Sequence, residues 1–313
     1  MNTIFGPVRS RRFGNSLGVD LSPALKQCNF DCLYCELAPA ATVDHQSSVV
    51  SVDAIIDDLS RALKEHGDID VITVTANGEP TLYPHLDELT GRIDAIKRET
   101  ETLILTNSAT LTDPKVFDTL LKFDRVKLSL DAVTPEVFKK IDRPHKGIDV
   151  GRVAEAVKRF SQAFKGTLYI EVLFVHGLND NDAEIKALND VLLDIACARI
   201  DIGSIDRPPA YPVQGVSYGE LHAIALKFDP SLPVHIASRQ HAESCVSAYS
   251  EEEIVNTLDK RPLTAEDVEL LFDEASKERL QQLLETGKIV ETKDSGVVFY
   301  IPAENIARKR QKS

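Results

Sequence analysis

Short apolar runs alternate with longer amphipathic stretches between about residues 16 and 240. Six of the apolar runs predict strands, at 16–21, 71–75, 102–106, 126–130, 168–174 and 199–203. The stretches between them, such as VDAIIDDLSRALKEH and GRVAEAVKRFSQAF, have the three-to-four-residue apolar spacing of helices. Strands that alternate with helices predict a parallel sheet with right-handed crossovers, which is an α/β fold.

Polar and apolar residues alternate within these strands, so one face of the sheet is polar. That face collects Gly18, Asp20, Thr73, Thr75, Lys127, Ser129, Tyr169, Glu171, Arg199 and Asp201. Strands buried on both faces are apolar throughout, and Val, Ile and Leu normally fill a closed eight-stranded barrel. The alternation therefore predicts a partial, TIM-like barrel of six β/α units with an open, polar lumen. A flat doubly wound sheet explains it less well, because every strand would need partners for its polar residues.

The composition changes near residues 250–262, in EEEIVNTLDKRPL, which suggests a domain boundary. Beyond this segment, Thr264 begins a predicted helix with a residue of capping-box type, Asp267, three positions later. A second helix over 276–285 and a hairpin in KIVETKDSGVVFYIP follow, an order that resembles a winged helix. We predict a barrel domain over 1–250 and a small α+β domain with a basic tail over 251–313.

The composition is that of an ordinary globular protein with an acidic surface. The net charge of −13 opposes non-specific attraction to nucleic acid or to an anionic membrane. No apolar run is long enough to cross a bilayer, and MNTIFGPVRSRRFG lacks the apolar segment of a secretory signal. We therefore expect a cytoplasmic protein with no membrane partner. The local exceptions are Arg9, Arg11 and Arg12, which either offset a negative ligand or are solvated, and the basic tail at 308–312.

Three of the five cysteines, Cys28, Cys32 and Cys35, lie within eight positions. An odd number of cysteines in a reducing compartment argues against a disulfide framework and for ligation or redox chemistry. Three thiolates at this spacing can bind three corners of a cubane [4Fe–4S] cluster and leave the fourth iron open to a small molecule. Cys197 and Cys245 are isolated, and each is expected to be a small buried side chain.

A zinc knuckle is the competing interpretation of the same three cysteines. It would take its fourth ligand from His45, ten positions after Cys35. That histidine lies in a polar linker, and no paired C-x2-C arms accompany it, so the cluster is the favoured interpretation.

The segment CNFDCLYC resembles the CxxxCxΦC motif of the radical S-adenosylmethionine (SAM) enzymes, with Tyr34 as the aromatic residue before the last cysteine. Further segments follow in the order expected of that superfamily, each at the end of a predicted strand. They are ANGEPTLYP after the second strand, LTNSATL after the third, KLSLDAVTPEVFKKIDRPH at the fourth and IEVLFVHGLND at the fifth.

The resemblance implies a role for each segment in binding S-adenosylmethionine. ANGEP resembles a GGEP motif in which Asn77 replaces the first glycine, and it would hold the methionyl ammonium. By the same resemblance Asn107, Ser129 and Asp131 would contact the ribose or the carboxylate, while Val172 and Phe174 through Gly177 would pack against adenine. The residues expected to contact the cofactors are Cys28, Cys32, Tyr34, Cys35, Asn77, Gly78, Glu79, Pro80, Asn107, Ser129, Asp131, Val172 and Phe174.

The resemblance also implies the chemistry: a [4Fe–4S] cluster cleaves S-adenosylmethionine to a 5′-deoxyadenosyl radical, which takes hydrogen from a substrate. Such an oxidoreductase needs an electron donor, such as flavodoxin or ferredoxin. The opening GPVRSRRFGNSLGVDLSP resembles small Fe–S oxidoreductases loosely related to wyosine-base synthases, so the expected substrate is a tRNA base or a peptide or protein. The wyosine enzymes carry further cysteines for a second cluster, whereas only Cys197 and Cys245 remain here, which argues against the same reaction.

The alternation of the strands turns four charged residues toward the substrate space: Lys127, Glu171, Asp201 and Arg207. Each of them is either a substrate contact or a member of a structural ion pair. In the winged-helix-like domain, acidic residues balance Lys277 and Arg279 on the second helix, which favours protein docking or a structural role over nucleic-acid binding.

The sequence leaves two functions of other classes open. The chain is alternatively a non-catalytic Fe–S sensor whose winged helix reads the state of the cluster, or a zinc-binding scaffold. A sensor needs no nucleoside contacts, so the motifs at 78–80 and 129–131 count against it.

Overall fold

The computed structural model describes residues 3–10, 13–236, 248–260, 262–294 and 297–305. Residues 4–236 form one sheet of eight strands that lie side by side in chain order. The strands are β1 (Ile4–Ser10), β2 (Gly14–Asp20), β3 (Val71–Thr75), β4 (Glu101–Thr106), β5 (Arg125–Ser129), β6 (Thr167–Phe174), β7 (Arg199–Ser204) and β8 (Val234–Ile236). Strands β2 to β8 are parallel, and β1 pairs antiparallel with β2.

Seven helices connect the parallel strands. They are α1 (Val52–Glu65), α2 (Leu86–Ile96), α3 (Pro114–Leu120), α4 (Pro135–Ile141), α5 (Val150–Ala163), α6 (Asp182–Leu192) and α7 (Tyr218–Ala225). Polar side chains begin several of them: Ser51 caps α1, Asp149 caps α5 and Asn181 caps α6. The main core lies between these helices and the outer face of the sheet, where Leu17, Ile72 and Ile170 are fully buried.

The predicted α/β partial barrel is confirmed, but the predicted number of strands is two too few. Strand β1 was missed because Gly6 and Pro7, joined by a cis peptide bond, interrupt its alternation and shift its register between Phe5 and Val8. A proline is tolerated in an edge strand, and β1 is one. Strand β8 has three residues, too few to show a period. In the described residues, β1 and β8 do not pair with each other, so the sheet does not close into a full barrel.

The described residues after 247 form a small unit of three helices and three strands. Its elements are α8 (Glu251–Lys260), β9 (Leu263–Thr264), α9 (Ala265–Leu271), α10 (Glu274–Glu285), β10 (Ile289–Asp294) and β11 (Val297–Pro302). The predicted capping box at Thr264 and Asp267 is confirmed. The two predicted helices are present as α9 and α10, and the predicted hairpin as β10 and β11. The additional helix, α8, lies in the acidic segment at 251–260 and was missed, although Ser250 and Glu253 form a capping-box pair at its start.

The small unit packs directly on β1. Val8 of that strand belongs to the same apolar cluster as Ile254, Phe272 and Leu280, and the Tyr249 hydroxyl donates to the Pro7 carbonyl. The basic tail at 308–312 lies outside the described residues. In the described part of the chain, no helix has the length and apolar character needed to span a membrane.

Candidate functional site

A cavity of about 390 Å³ occupies the inner side of the sheet. Its lining includes Gly18, Asp20, Thr73, Thr75 and Lys127, all from the polar strand face predicted above. Strand β4 contributes Leu103 and Leu105, and β1 contributes Phe5 and Val8. The rings of Phe13 and Tyr169 meet edge to face at 5.1 Å beside Leu103, toward the end where the strands begin. The lumen is therefore polar at the level of the motif loops and apolar toward its other end.

Three of the four residues predicted to face the substrate lie together on neighbouring strands. The Lys127 ammonium contacts the Glu171 carboxylate and lies 4.0 Å from Asp201. Arg199 approaches Asp201 from the other side at 2.8 Å. Asp201 is fully buried, so these cations offset the cost of burying its charge.

The fourth, Arg207, lies in the loop after β7 and lines the cavity. Its guanidinium forms an ion pair with Glu36, the residue that follows Cys35. Burial acts to lower the pKa of Arg207, but Glu36, Asp206 and Asp267 raise it above its ordinary value. Because Asp267 belongs to α9, the small C-terminal unit contributes charge to this side of the cavity.

The three clustered cysteines lie on the loop between β2 and α1, which has few regular backbone hydrogen bonds of its own. Within it, the Cys35 amide donates to the Cys32 carbonyl at 3.1 Å, and the Phe30 amide donates to the Cys28 Sγ at 3.4 Å. The Asp31 carboxylate anchors the loop to distant segments. It accepts hydrogen bonds from Lys26 at 3.0 Å and from Tyr211, and it lies 3.3 Å from Arg143.

The thiols are protonated in this arrangement unless a metal replaces their protons. Burial raises the pKa of Cys28 to about 12 and also raises the pKa of Cys32 and Cys35. The ammonium of Lys26 opposes this effect at Cys28 and Cys35. Thiolates are the ligands that iron–sulfur clusters use, and ligation supplies the positive charge that buried thiolates require. The three cysteines therefore fit a cluster held at three corners.

The histidine of the zinc alternative lies apart from this set. The His45 side chain is 78% exposed, and its ring contacts the neighbouring Asp44. Among the described residues, no three His, Cys, Asp or Glu side chains converge on the position of a single ion. A cubane differs from a zinc site in this respect, because each cysteine binds a different iron atom.

The loop after β3 holds the residue that precedes Cys28. The Gln27 amide donates to the Asn77 carbonyl at 2.9 Å, and the Glu79 amide donates back to the Gln27 carbonyl at 3.0 Å. Gly78 lies between these two bonds with φ +135°, and a Cβ there would lie 1.9 Å from the Gln27 carbonyl oxygen. Only glycine allows this approach, so the predicted motif has a structural reason that the sequence did not reveal.

Glu79 connects that loop to the next predicted motif. Its buried carboxylate accepts hydrogen bonds from the Thr106 hydroxyl at 2.6 Å and from the Asn107 amide at 2.8 Å. Burial raises the pKa of Glu79 in spite of these bonds, which lower it. The Asn107 side chain donates to Asn29 at 2.6 Å and lies 3.8 Å from the Cys28 Sγ. Two predicted motifs therefore meet at the cysteine loop.

Tyr34 and Asp131 form a second connection to the same loop. The Tyr34 hydroxyl donates to the Asp131 carboxylate, which also accepts from the Leu173 amide at 2.7 Å. Burial raises the pKa of Asp131 to about 7. This carboxylate therefore has two protein donors, while Ser129, on the inner strand face, accepts a bond from Ser108 through its carbonyl.

The structure places Val172 and Phe174 away from the lumen. Both side chains are fully buried in the core under the helices, on the strand face opposite Glu171. The expectation that these side chains pack against adenine therefore needs correction, because strand alternation turns them outward.

Several residues of the site were not predicted as functional from the sequence. Lys26 precedes the cysteines and Asp31 lies between two of them, so the sequence showed that both are close to the thiols but not that they contact each other. Asp142 hydrogen-bonds Cys32, and burial raises its pKa well above the ordinary value. Tyr211 reaches Asp31 across 180 positions. No local pattern in the sequence indicates these two long-range contacts.

Of the other predicted residues, Cys197 is half-buried and packs against the main core, and burial raises its pKa to about 11. Arg11, Arg12 and Cys245 lie outside the described residues, as does the side chain of Arg9.

Comparison with known proteins identifies the class to which this fold and this cysteine loop belong. A family model described as the Radical SAM superfamily matches residues 23–188. The chain belongs to the radical SAM superfamily, whose cofactors are a [4Fe–4S] cluster and S-adenosylmethionine. It is similar to a UPF0026 protein of Helicobacter pylori (strain J99), with 40% identity over 95% of this chain and 96% of the relative.

Two solved structures share the fold at low sequence identity. A radical SAM methyltransferase from Sphaerobacter thermophilus has a TM-score of 0.55 and 16% identity over 71% of this chain and 66% of its own. Streptococcus suis SuiB, in a structure with the precursor peptide SuiA, has a TM-score of 0.56 and 18% identity over 71% of this chain and 48% of its own. The family and the barrel predicted from the sequence are confirmed.

Proposed function

We propose that this chain reductively cleaves S-adenosylmethionine at a cluster bound by Cys28, Cys32 and Cys35, and that the resulting radical takes hydrogen from a substrate in the lumen. One observation carries the proposal. Three loops that follow β3, β4 and β5 converge on the cysteine loop through Gln27, Asn29 and Tyr34. Membership of the superfamily supports catalysis of this general type.

The protein groups prepare the binding place for both cofactors. When bound, the reduced cluster supplies one electron to S-adenosylmethionine, which then yields methionine and the 5′-deoxyadenosyl radical. The buried thiols release their protons on ligation, and the Lys26 ammonium partly offsets the added negative charge. The buried position of Glu79 beside Cys28 suits it to a cationic ammonium group.

The nucleoside contacts are assigned to polar groups at the ends of the strands. Asn77 lines the cavity, Asn107 follows β4, and Ser129 is the last residue of β5, on the same edge of the sheet. Asp131 is assigned to positioning Tyr34 and the cysteine loop, because its carboxylate accepts the Tyr34 hydroxyl. Pro80 begins the short 3-10 turn that holds Glu79 in place.

The lumen beneath these groups is the proposed substrate site. Lys127, Glu36 and Arg207 line it, and Lys127 contacts Glu171 and lies 4.0 Å from Asp201. Enclosure by the sheet and by the loops that line the cavity limits contact of a reactive intermediate with water. A tRNA base and a peptide or protein remain the predicted substrate classes, with flavodoxin or ferredoxin as the predicted electron donor.

The charges of α10 count against a DNA-reading sensor. Lys277 forms ion pairs with Glu269 at 2.7 Å and Glu274 at 3.0 Å, and Arg279 donates to the Tyr249 carbonyl at 2.9 Å. A recognition helix needs cations that are free to meet phosphates. The structural or protein-docking role predicted for this unit is therefore favoured.

Anaerobic reconstitution with iron and sulfide, followed by dithionite and S-adenosylmethionine, tests the proposal. We expect about four irons per chain and formation of 5′-deoxyadenosine, measured by liquid chromatography. Replacement of Cys28 by Ser should abolish product formation while circular dichroism stays unchanged, and Cys197→Ser should retain both iron and product. A bound cluster that never cleaves the nucleoside, or a zinc protein without colour, contradicts the proposal.

A further inference from the structure

One exposed surface in the described part of the chain is basic, although the chain as a whole is acidic. Lys139 and Lys140 in the last turn of α4, and Arg143 and Lys146 in the loop that follows, are all exposed. We call these four residues the basic ridge. Their charge is +4 on a chain of net charge −13, with Glu136 one turn earlier on the helix.

The cations of the ridge are clustered, whereas exposed lysines elsewhere on the barrel are either ion-paired or, like Lys64, Lys115 and Lys165, separated along the chain. Lys122, Lys158, Lys186 and Lys227 each lie between 2.5 and 2.7 Å from a carboxylate. No described carboxylate lies within ion-pair distance of Lys139, Lys140 or Lys146. Three ammonium groups are therefore available to a partner, and burying them against carboxylates of that partner would complete their pairing.

The helix that carries Lys139 and Lys140 of the ridge, α4, packs directly against the cysteine loop. The Phe138 ring of α4 packs on Phe30 at 5.4 Å between ring centres. The Leu33 amide donates to the Ile141 carbonyl at 2.8 Å, and the Asp31 amide donates to the Asp142 carbonyl at 3.1 Å. Asp142 itself hydrogen-bonds Cys32. The end of α4 therefore contacts the residues on both sides of Cys32 directly.

We propose that the basic ridge is the docking surface for an acidic one-electron carrier protein, which reduces the cluster site from the side of Cys32. This inference rests on the proposed function, because only a cluster that must be reduced needs such a partner. In the docked complex the carrier loses one electron and the site gains it, and no bond forms or breaks. The net negative charge of the chain repels an acidic carrier, so a local basic surface such as the ridge would also orient it.

Charge and position favour a carrier protein over RNA as the partner. The cavity lining includes the carboxylates of Glu36 and Asp206 beside Arg207, and these would repel the phosphates of an RNA whose base entered there. The ridge flanks the cysteine loop through α4, and Arg143 is held there by Asp31 at 3.3 Å and by the Tyr211 ring at 4.8 Å.

Charge reversal of the three unpaired lysines tests the proposal. The variant Lys139→Glu/Lys140→Glu/Lys146→Glu is compared with a matched variant, Lys64→Glu/Arg98→Glu/Lys165→Glu. The matched residues are exposed, have the same total charge and precede strands at the opposite end of the barrel. Stopped-flow absorbance of the reconstituted proteins then measures reduction of the cluster by flavodoxin hydroquinone and, separately, by photoreduced deazariboflavin, which is uncharged.

We expect the ridge variant to be reduced by flavodoxin about tenfold or more slowly than wild type at low ionic strength, with the difference shrinking at about 0.5 M salt. The matched variant should stay within about twofold of wild type, and all three proteins should react equally with deazariboflavin. Equal flavodoxin rates in the two variants overturn the docking proposal. So does a ridge variant that loses affinity for tRNA but keeps its flavodoxin rate, which assigns the surface to RNA.

The deazariboflavin experiment separates this proposal from the proposed function. If wild type is reduced by deazariboflavin and forms 5′-deoxyadenosine while flavodoxin rates ignore the ridge, only the docking surface is wrong. If no protein holds a reducible cluster, the proposed function fails and the docking proposal fails with it.

Discussion

Replacement of Gly78 by Ala perturbs the contact that joins the motif loop after β3 to the cysteine loop. The new Cβ would lie 1.9 Å from the Gln27 carbonyl oxygen. This oxygen belongs to the backbone, so relieving the clash requires the loop itself to move. The φ of +135° adds strain for any residue with a side chain.

The magnitude follows from two ways of relieving this clash. If the backbone stays in place, overpacking costs about 1–3 kcal/mol and the backbone conformation a further 1–2 kcal/mol or so. If the loops separate, the two hydrogen bonds of Gln27 with Asn77 and Glu79 are lost, at about 1 kcal/mol each. We therefore expect a loss of about 2–4 kcal/mol in the free energy of unfolding, because the structure will relax in whichever of these two ways costs less free energy.

Urea unfolding of the metal-free protein, followed by circular dichroism, measures this loss, and iron content after reconstitution measures its effect on the cysteine loop. The matched control is Gly91→Ala in α2, where nothing lies within 4 Å of a new Cβ. There we expect a gain of about 0.5–1 kcal/mol from helix propensity. A Gly78→Ala protein that unfolds at the wild-type urea concentration and binds the same amount of iron refutes the reasoning.

Three further predictions concern other contacts. Lys127→Ala leaves Asp201 with fewer cations and should cost about 2 kcal/mol in urea unfolding, with partial recovery in Lys127→Arg; an unchanged midpoint contradicts the ion-pair network. The raised pKa of Asp131, about 7, means that the folded state keeps a proton which the unfolded state releases near pH 4. Between pH 5 and pH 8 the free energy of unfolding of the metal-free wild type should therefore fall by about 2–3 kcal/mol relative to that of Asp131→Asn. Parallel pH profiles of unfolding for the two proteins would contradict the raised pKa. Tyr249→Phe should lower the free energy of unfolding by about 1 kcal/mol, since it removes a buried bond to Pro7, and calorimetry measures it.

Much of the fold was readable because its cause is local. Alternating polarity in β2, β3, β5, β6 and β7 is required wherever one face meets helices and the other meets a wet cavity, so the period itself predicted the partial barrel. Strands β1 and β8 were not predicted. Gly6 and Pro7 interrupt the alternation in β1, and β8 has three residues, which are too few to show a period.

The candidate site likewise has one part that follows from local sequence and one that depends on distant contacts. The amino-acid sequence by itself determined the ligand chemistry, because three thiols within eight positions on one loop must lie close together in any fold. Tertiary structure alone decided which distant groups meet that loop: Asp142 at Cys32, Tyr211 at Asp31 and Glu36 at Arg207. The reason is that such contacts depend on strand order and helix packing, which bring together residues that no short-range period connects.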